Sequence, residues 1–456
     1  MKKYIKCGTL FTSHDEQVQK DQTVVIENGR IIAIGANDSV VPASEGDQIL
    51  DYSKNFVMPG LIDIHVHLSY GNALSEEDID IYSPVEYRAL RGLQGAQRVL
   101  RAGFTSLADP ATTGHVTPAI RDSIECGLFV GPRISSGGRQ ITNRQGLSDW
   151  YPTWIGVPDT SIGALAENAD AGIQEIRKQK KQGVDFVKIA MDGDSMNPAT
   201  GLVSGYNQAE TTAMVDEAHR LGLKVIVHAR GTEGVLYAAR ACVDVILHAS
   251  WMDDEGLEAV IQNNCKLCPT LSLVLNDILF TQPTDGCYPG FPDAHREELE
   301  AARKILPKAR EAGVTFMLGS DSGFAVTPYG EWHARELEYY VDYLGFTPAE
   351  AIICATKNNR EFLREHNDVG ILEVGRYADI IVVDGNPLAD ITLLQKRENL
   401  ISVMKAGEHI EIDILDDIKP HVLEHSYSMW GEVYTQERVR EIFGTKLDHV
   451  APRAAE

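Results

Sequence analysis

The stretch Pro59 to His67, ProGlyLeuIleAspIleHisValHis, holds the residues whose types and spacing promise chemistry. Apolar Leu61, Ile62, Ile64 and Val66 leave Asp63, His65 and His67 at alternate positions. Residues two apart on a strand face the same side. His65 and His67 therefore present two imidazoles together, as two ligands of one metal ion require. An ordinary buried strand can also carry such a pair, so the reading depends on ligands elsewhere. They recur at the ends of other apolar runs. Lys188 lies inside ValAspPheValLysIleAla, His228 closes LysValIleValHisAla, His248 closes AspValIleLeuHisAla, and Asp321 follows PheMetLeuGlySer. A lysine within an apolar strand is costly unless paired or modified. Each has a bland explanation, His228 or His248 as a satisfied core residue and Asp321 as a helix cap. Six such residues on five strands of the right order are better explained by one shared site.

The elements that must position them follow from the hydrophobic pattern. From residue 58 to 365 apolar strands alternate with helical stretches, the mark of βα units and a parallel sheet. Eight candidate strands are Leu61–His67, Thr105–Asp109, Arg133–Ser136, Phe186–Ala190, Lys224–His228, Asp244–His248, Lys266–Thr270 and Thr315–Ser320. Helical patterns between them include Ala209–Leu221 and Asp293–Ala312. Eight units predict an α/β fold with a closed TIM-like (β/α)₈ barrel, whose strand ends converge on one mouth. Residues 1–57 read as short strands, with AsnGly between Thr23–Ile26 and Ile31–Ile34 as a hairpin turn. Similar texture returns over 366–415. Neither end can build a good core alone, so the two are expected to join in a small β-sandwich domain beside the barrel. The tail, 416–456, suggests a helical extension packed on the barrel and points to no chemistry of its own.

Composition bounds the function classes. Hydrophobic residues at 43% and charged residues at 24% are ordinary globular values. A formal charge of -24 argues against a basic nucleic-acid surface. No stretch reaches the length of a membrane span, and the N-terminus lacks the apolar core of a signal peptide. Seven scattered cysteines do not resemble a disulfide framework. Cys265 and Cys268 form one CxxC without a second pair nearby, and read as core-strand thiols. A cytoplasmic protein acting on a small molecule, with neither nucleic acid nor membrane as partner, is the expectation.

Taken together, the motifs PGLIDIHVH, VDFVKIA, VIVHARG, VILHAS and LGSDSG resemble those of the amidohydrolase superfamily, over nearly the whole chain. The resemblance implies two divalent metal ions bridged by Lys188 as an N-carboxylated lysine. His65, His67 and Asp321 would hold one ion, and His228 and His248 the other. Zinc suits these ligands, and Mn, Fe or Co can also occupy them. Two metals sharing a water lower its pKa toward neutrality and so supply hydroxide at pH 7. The catalytic residues implied are Lys188, His248 and Asp321, with Asp321 carrying the proton from that water to a leaving amine. Deaminases of the superfamily resemble mononuclear sites without a strand-four lysine, so Lys188 favours the acyl hydrolase branch. The resemblance also suggests a homo-oligomer. The competing class is a scaffold of the same fold, and six filled ligand positions speak against it.

Specificity in such a fold lies in the loops after the strands. The loop after the third strand is long and carries Trp150, Tyr151 and Trp154, as a pocket wall or as packing against the barrel. Tyr206, Arg230 and the segment 275–292 are further candidates for the mouth. Two subgroups compete. The strand motifs resemble imidazolonepropionase-like enzymes, including Xaa-Pro dipeptidases. The ArgGlnGlyLeuSerAspTrpTyrProThrTrpIleGly loop resembles phenylurea and molinate hydrolases, and favours cleavage of an N-aryl urea or thiocarbamate. Arg230 suits either, holding a dipeptide carboxylate or a polarised carbonyl.

Overall fold

The computed structural model describes residues 1–444 apart from 41, 43, 45, 145, 194–200, 282–287, 289 and 412–428. Residues 282–287 and 289 of the expected 275–292 segment, and much of the tail, therefore lie outside the described residues.

The central part is α/β with parallel strands. One sheet joins Leu61–Asp63, Phe104–Asp109 and Arg133–Ser136. A second runs in the order Lys266–Cys268, Val245–His248, Lys224–Ala229, Phe186–Ala190, Gln140–Thr142, Gly163–Leu165. The Val- and Ile-rich sequences of these strands suit a sheet covered on both faces, and Phe186–Ala190 is buried at every position. Backbone hydrogen bonds continue beyond the sheets. Asp185 N donates to Ser136 O at 2.7 Å, Met317 N to Leu267 O at 2.8 Å, and Ile64 N to Leu318 O at 3.1 Å. The two short strands Gln140–Thr142 and Gly163–Leu165, inside the long third loop, were not expected from the sequence.

Two expected strands differ from the observed backbone, for a shared reason. Leu61–His67 ends as a strand at Asp63, whose Oδ1 accepts from His65 N at 2.9 Å. The stretch Thr315–Ser320 forms only an isolated bridge between Phe316 and Leu267. Two of its amides are taken by side chains, Leu318 N by Asn359 Oδ1 at 2.9 Å and Ser320 N by Asp63 Oδ1 at 3.2 Å. Asp63 thus satisfies backbone donors of two neighbouring segments, which a buried backbone must find somewhere. His65 and His67 lie just beyond the strand, on either side of Val66, which bridges in parallel to Ser322, and their ring centroids are 4.9 Å apart.

The helices lie where the sequence places them, with explicit caps. Asn207 and Glu210 form a capping box on Gln208–Arg220, and Asp253 caps Asp254–Gln262. Phe291–Glu311 buries His295, Glu298, Leu299 and Ala302 on one face. Among the described residues no helix is long and apolar enough to cross a membrane.

Both chain ends share one seven-stranded sheet. Gln48–Pro59 pairs in parallel with Lys3–Phe11 and antiparallel with Ile380–Val383. Its core gathers Ile5, Leu10 and Val24 with Leu372, Ile380 and Met404. The Asn28–Gly29 turn has φ of 51° and 78°, as a two-residue hairpin requires. Arg133 ties this sheet to the central part, its Nε and Nη2 donating to Asp379 at 3.0 and 3.2 Å.

Candidate active site and metal centre

The strand ends bring the six expected polar residues to one place. His65, His248 and Asp321 each offer a ligand atom within 4.8 Å of the other two, all buried. Asp321 Oδ1 lies 3.3 Å from His65 Nε2 and 3.1 Å from His67 Nε2. Lys188 Nζ is 3.5 Å from His65 Nε2. His228 and His248 have ring centroids 4.7 Å apart, and His65 and His248 5.6 Å. Four non-glycine residues beside or within the cluster hold left-handed backbone, His248, Ala249, Thr270 and Asp321 at φ of 69°, 56°, 59° and 55°. Such conformations cost energy and gather at functional sites.

Their surroundings fix orientation. His65 Nδ1 lies 3.1 Å from Thr270 Oγ1, and His67 Nδ1 3.1 Å from the Ala111 carbonyl. Both rings thereby turn Nε2 inward. His228 Nε2 is 3.1 Å from the Gly193 carbonyl and 2.9 Å from Arg230 Nη1. Arg230 is itself held, its Nε donating to Glu298 Oε1 at 2.9 Å, where Ser250 Oγ also donates at 2.8 Å. Asp192 accepts from the amides of Arg230 and Gly231 at 2.8 and 2.7 Å.

The electrostatics suit cations. Burial holds His65, His228 and His248 well below the usual imidazole range, which keeps their lone pairs available. Burial also opposes charge on His67, but Asp109 and Asp321 outweigh it and raise its pKa. Burial favours protonated Asp321, yet His65, His67 and Lys188 overcome it and hold the carboxyl low. Burial brings Lys188 down to about 8 against the pull of Asp321, and pushes Asp192 up to about 7.

The donor set fits metal ions. His248 Nδ1 is a buried nitrogen without a hydrogen-bond partner among the described residues, an exception that asks for an explanation. Imidazoles with a carboxylate are ordinary ligands of zinc and its neighbours.

The cluster opens into a cavity, which Trp150 and Arg230 also line. Tyr151 and Tyr206 do not line it. The Tyr151 hydroxyl donates to Glu76 O at 3.3 Å, and the buried Tyr206 hydroxyl to Ala166 O at 2.7 Å. Trp154 is 85% exposed. Phe291, from the expected 275–292 segment, also lines the cavity, whereas sequence reasoning missed Tyr70, Glu76, His295, Phe324 and Trp430, which line it too. Cys265 and Cys268 are buried free thiols.

The chain belongs to the amidohydrolase family, whose model matches residues 56–410. It is a hydrolase acting on C–N bonds. It is similar to ochratoxinase of Aspergillus niger, 28% identical over 382 residues, covering 77% of this chain and 75% of that enzyme. A solved Xaa-Pro dipeptidase with methionine bound in its active site is also similar, at 28% identity and a TM-score of 0.80, covering 90% of this chain and 100% of that one. Molinate hydrolase shares the fold at 22% identity and a TM-score of 0.72, covering 93% of this chain and 99% of that one.

Proposed function

We propose that the protein hydrolyses the C–N acyl bond of a small amide at a binuclear metal centre. The carrying observation is the convergence of His65, His248 and Asp321 within 4.8 Å, with Lys188 Nζ 3.5 Å from His65. His65, His67 and Asp321 would hold one ion and His228 and His248 the other, with Lys188 as an N-carboxylated ligand to both. Zinc is the first choice, with Mn, Fe or Co able to take its place. Such ions polarise a carbonyl and lower the pKa of water toward neutrality. Asp321, kept ionised by the groups around it, takes a proton from the attacking water and returns it to the leaving amine. The buried walls exclude bulk water from that exchange. The reading includes closure of the two parallel sheets into one eight-stranded barrel, supported by the hydrogen bonds of Asp185, Met317 and Ile64. It also includes a sandwich-like arrangement of the terminal sheet.

Amides come first because the relatives at 28% identity are named for ochratoxin and for Xaa-Pro dipeptides. An N-aryl urea or thiocarbamate is the second reading, favoured by the aromatic side chains of the cavity, Trp150 among them. Amine release by the chelated and then zinc-reloaded protein tests both, with an N-acyl amino acid and an N-phenyl-N′,N′-dialkylurea as substrates. Zinc-dependent turnover of the amide supports the first reading, and preference for the urea replaces it with the second. No turnover of either after full metal loading sinks both.

A further inference from the structure

The tail brings two side chains to the cavity. Met429 and Trp430 line it together with His67 and Asp321. The segment is pinned to the two loops that leave the metal cluster. Met429 N donates to Leu74 O at 2.8 Å, and Tyr434 N to Ala325 O at 2.9 Å. Trp332 Nε1 donates to Tyr434 O at 2.6 Å, and Gln436–Phe443 follows as a helix whose Val439 is buried.

Trp430 completes a row of rings that starts at a metal ligand. Tyr70 stacks on His67 at 4.3 Å with planes 6° apart, Phe324 meets Tyr70 at 5.1 Å, and Trp430 meets Phe324 at 5.4 Å. Phe291 extends the row at 5.6 Å from Trp430. The indole is fixed in place, because its Nε1 donates to the buried Asp277 Oδ1 at 2.6 Å. The other oxygen of Asp277 lies 2.8 Å from His295 Nδ1. A tryptophan that only filled the core would have apolar neighbours all round. This one, though nearly fully buried, also lines the cavity at the His67–Asp321 cluster, where an apolar group of a ligand gains free energy by leaving water to pack against it.

We propose that the segment Met429–Phe443 is part of the substrate site, and that Trp430 selects amides bearing an aryl group beside the scissile bond. The inference rests on the reading of the protein as an amide hydrolase. The ring row supplies faces and edges for offset or edge-on packing of a further aromatic ring. Asp277 holds the indole in the orientation that presents this surface.

The test is the selectivity ratio, kcat/KM for an N-acyl-phenylalanine over kcat/KM for the matching N-acyl-glycine. The ratio does not depend on the fraction of enzyme that is folded or loaded. In Trp430→Ala it falls about ten-fold or more, and in Trp430→Phe it falls less, because a ring remains. A second readout needs no turnover. A 4-nitrophenyl amide titrated into metal-free protein quenches tryptophan fluorescence to saturation, and Trp430→Phe loses a part of that amplitude. An unchanged ratio in Trp430→Ala overturns the proposal, as does unchanged quenching in Trp430→Phe. Wild-type protein that hydrolyses neither substrate sinks the functional reading instead, and the quenching titration then decides for or against the tail as pocket wall.

Discussion

Thr270 Oγ1 stands 3.1 Å from His65 Nδ1, and this contact turns His65 Nε2 toward Asp321 at 3.3 Å. The Thr270 hydroxyl donates to Cys268 O at 3.2 Å, so it accepts from His65 Nδ1–H and leaves the Nε2 lone pair for a metal. Thr270 does this from a left-handed backbone, φ 59°, which a β-branched residue rarely adopts. Thr270→Val keeps the shape and removes the acceptor. Metal affinity, measured by competition with a chromophoric chelator, should weaken by about 10- to 100-fold. Unchanged affinity would show that His65 needs no such support.

Lys188 is brought down to about 8 chiefly by burial, so its neutral amine, the form that adds carbon dioxide, grows as pH passes that value. Reconstitution of metal-free protein with zinc, at a fixed concentration of dissolved carbon dioxide, should accordingly quicken from about pH 7 to about pH 9. Intact-mass measurement should find one added carboxyl group in the reconstituted wild type and none in Lys188→Arg. Full zinc loading of Lys188→Arg would count against a bridging carbamate.

The ligands were legible because strand ends leave a periodic trace, apolar runs closed by His228, His248 or Asp321. His65 and His67, two apart about the bridged Val66, do bring their rings to 4.9 Å, although the regular strand ends at Asp63. The cavity wall left no such trace. Tyr70, Phe324 and Trp430 come from three distant segments, and nothing in their spacing says that loops will bring them together. Tyr206 misled for a physical reason: a tyrosine after a strand is as well placed to satisfy a buried carbonyl, here Ala166, as to reach a mouth. Trp430 also lay in a stretch whose pattern announced only a helix.

Arg230 has its charge answered within the protein. Its Nε donates to Glu298 and its Nη1 meets His228, both buried. A guanidinium so engaged positions the site more than it clamps a substrate carboxylate. Arg230→Ala should therefore lower kcat/KM for neutral and anionic substrates by similar factors. A loss at least about ten-fold greater for the anionic one would restore the carboxylate role. Removing one partner of a buried pair strands the other, so Glu298→Ala should cost about 3–5 kcal/mol in urea unfolding. Arg230→Met with Glu298→Met should recover most of that loss, since the pair then leaves no buried charge.

Asp80 is fully buried beneath the long third loop, and its Oδ1 accepts from Ile162 N at 3.2 Å. Its Oδ2 has no partner among the described residues, and burial pushes the carboxyl from 3.8 up to about 6. Between those values the unfolded chain has released a proton that the native chain retains, so stability falls as pH rises and levels off above about 6. Asp80→Asn keeps an acceptor for Ile162 N and removes the titration. A rise of about two pH units is worth about 3 kcal/mol, and with some loss from repacking the variant should gain about 1–3 kcal/mol over wild type at pH 7. At about pH 3, where the wild-type carboxyl is protonated in both states, the two should match. Urea midpoints at both pH values check this, and a gain of the same size at each would place its cause in packing rather than in the buried charge.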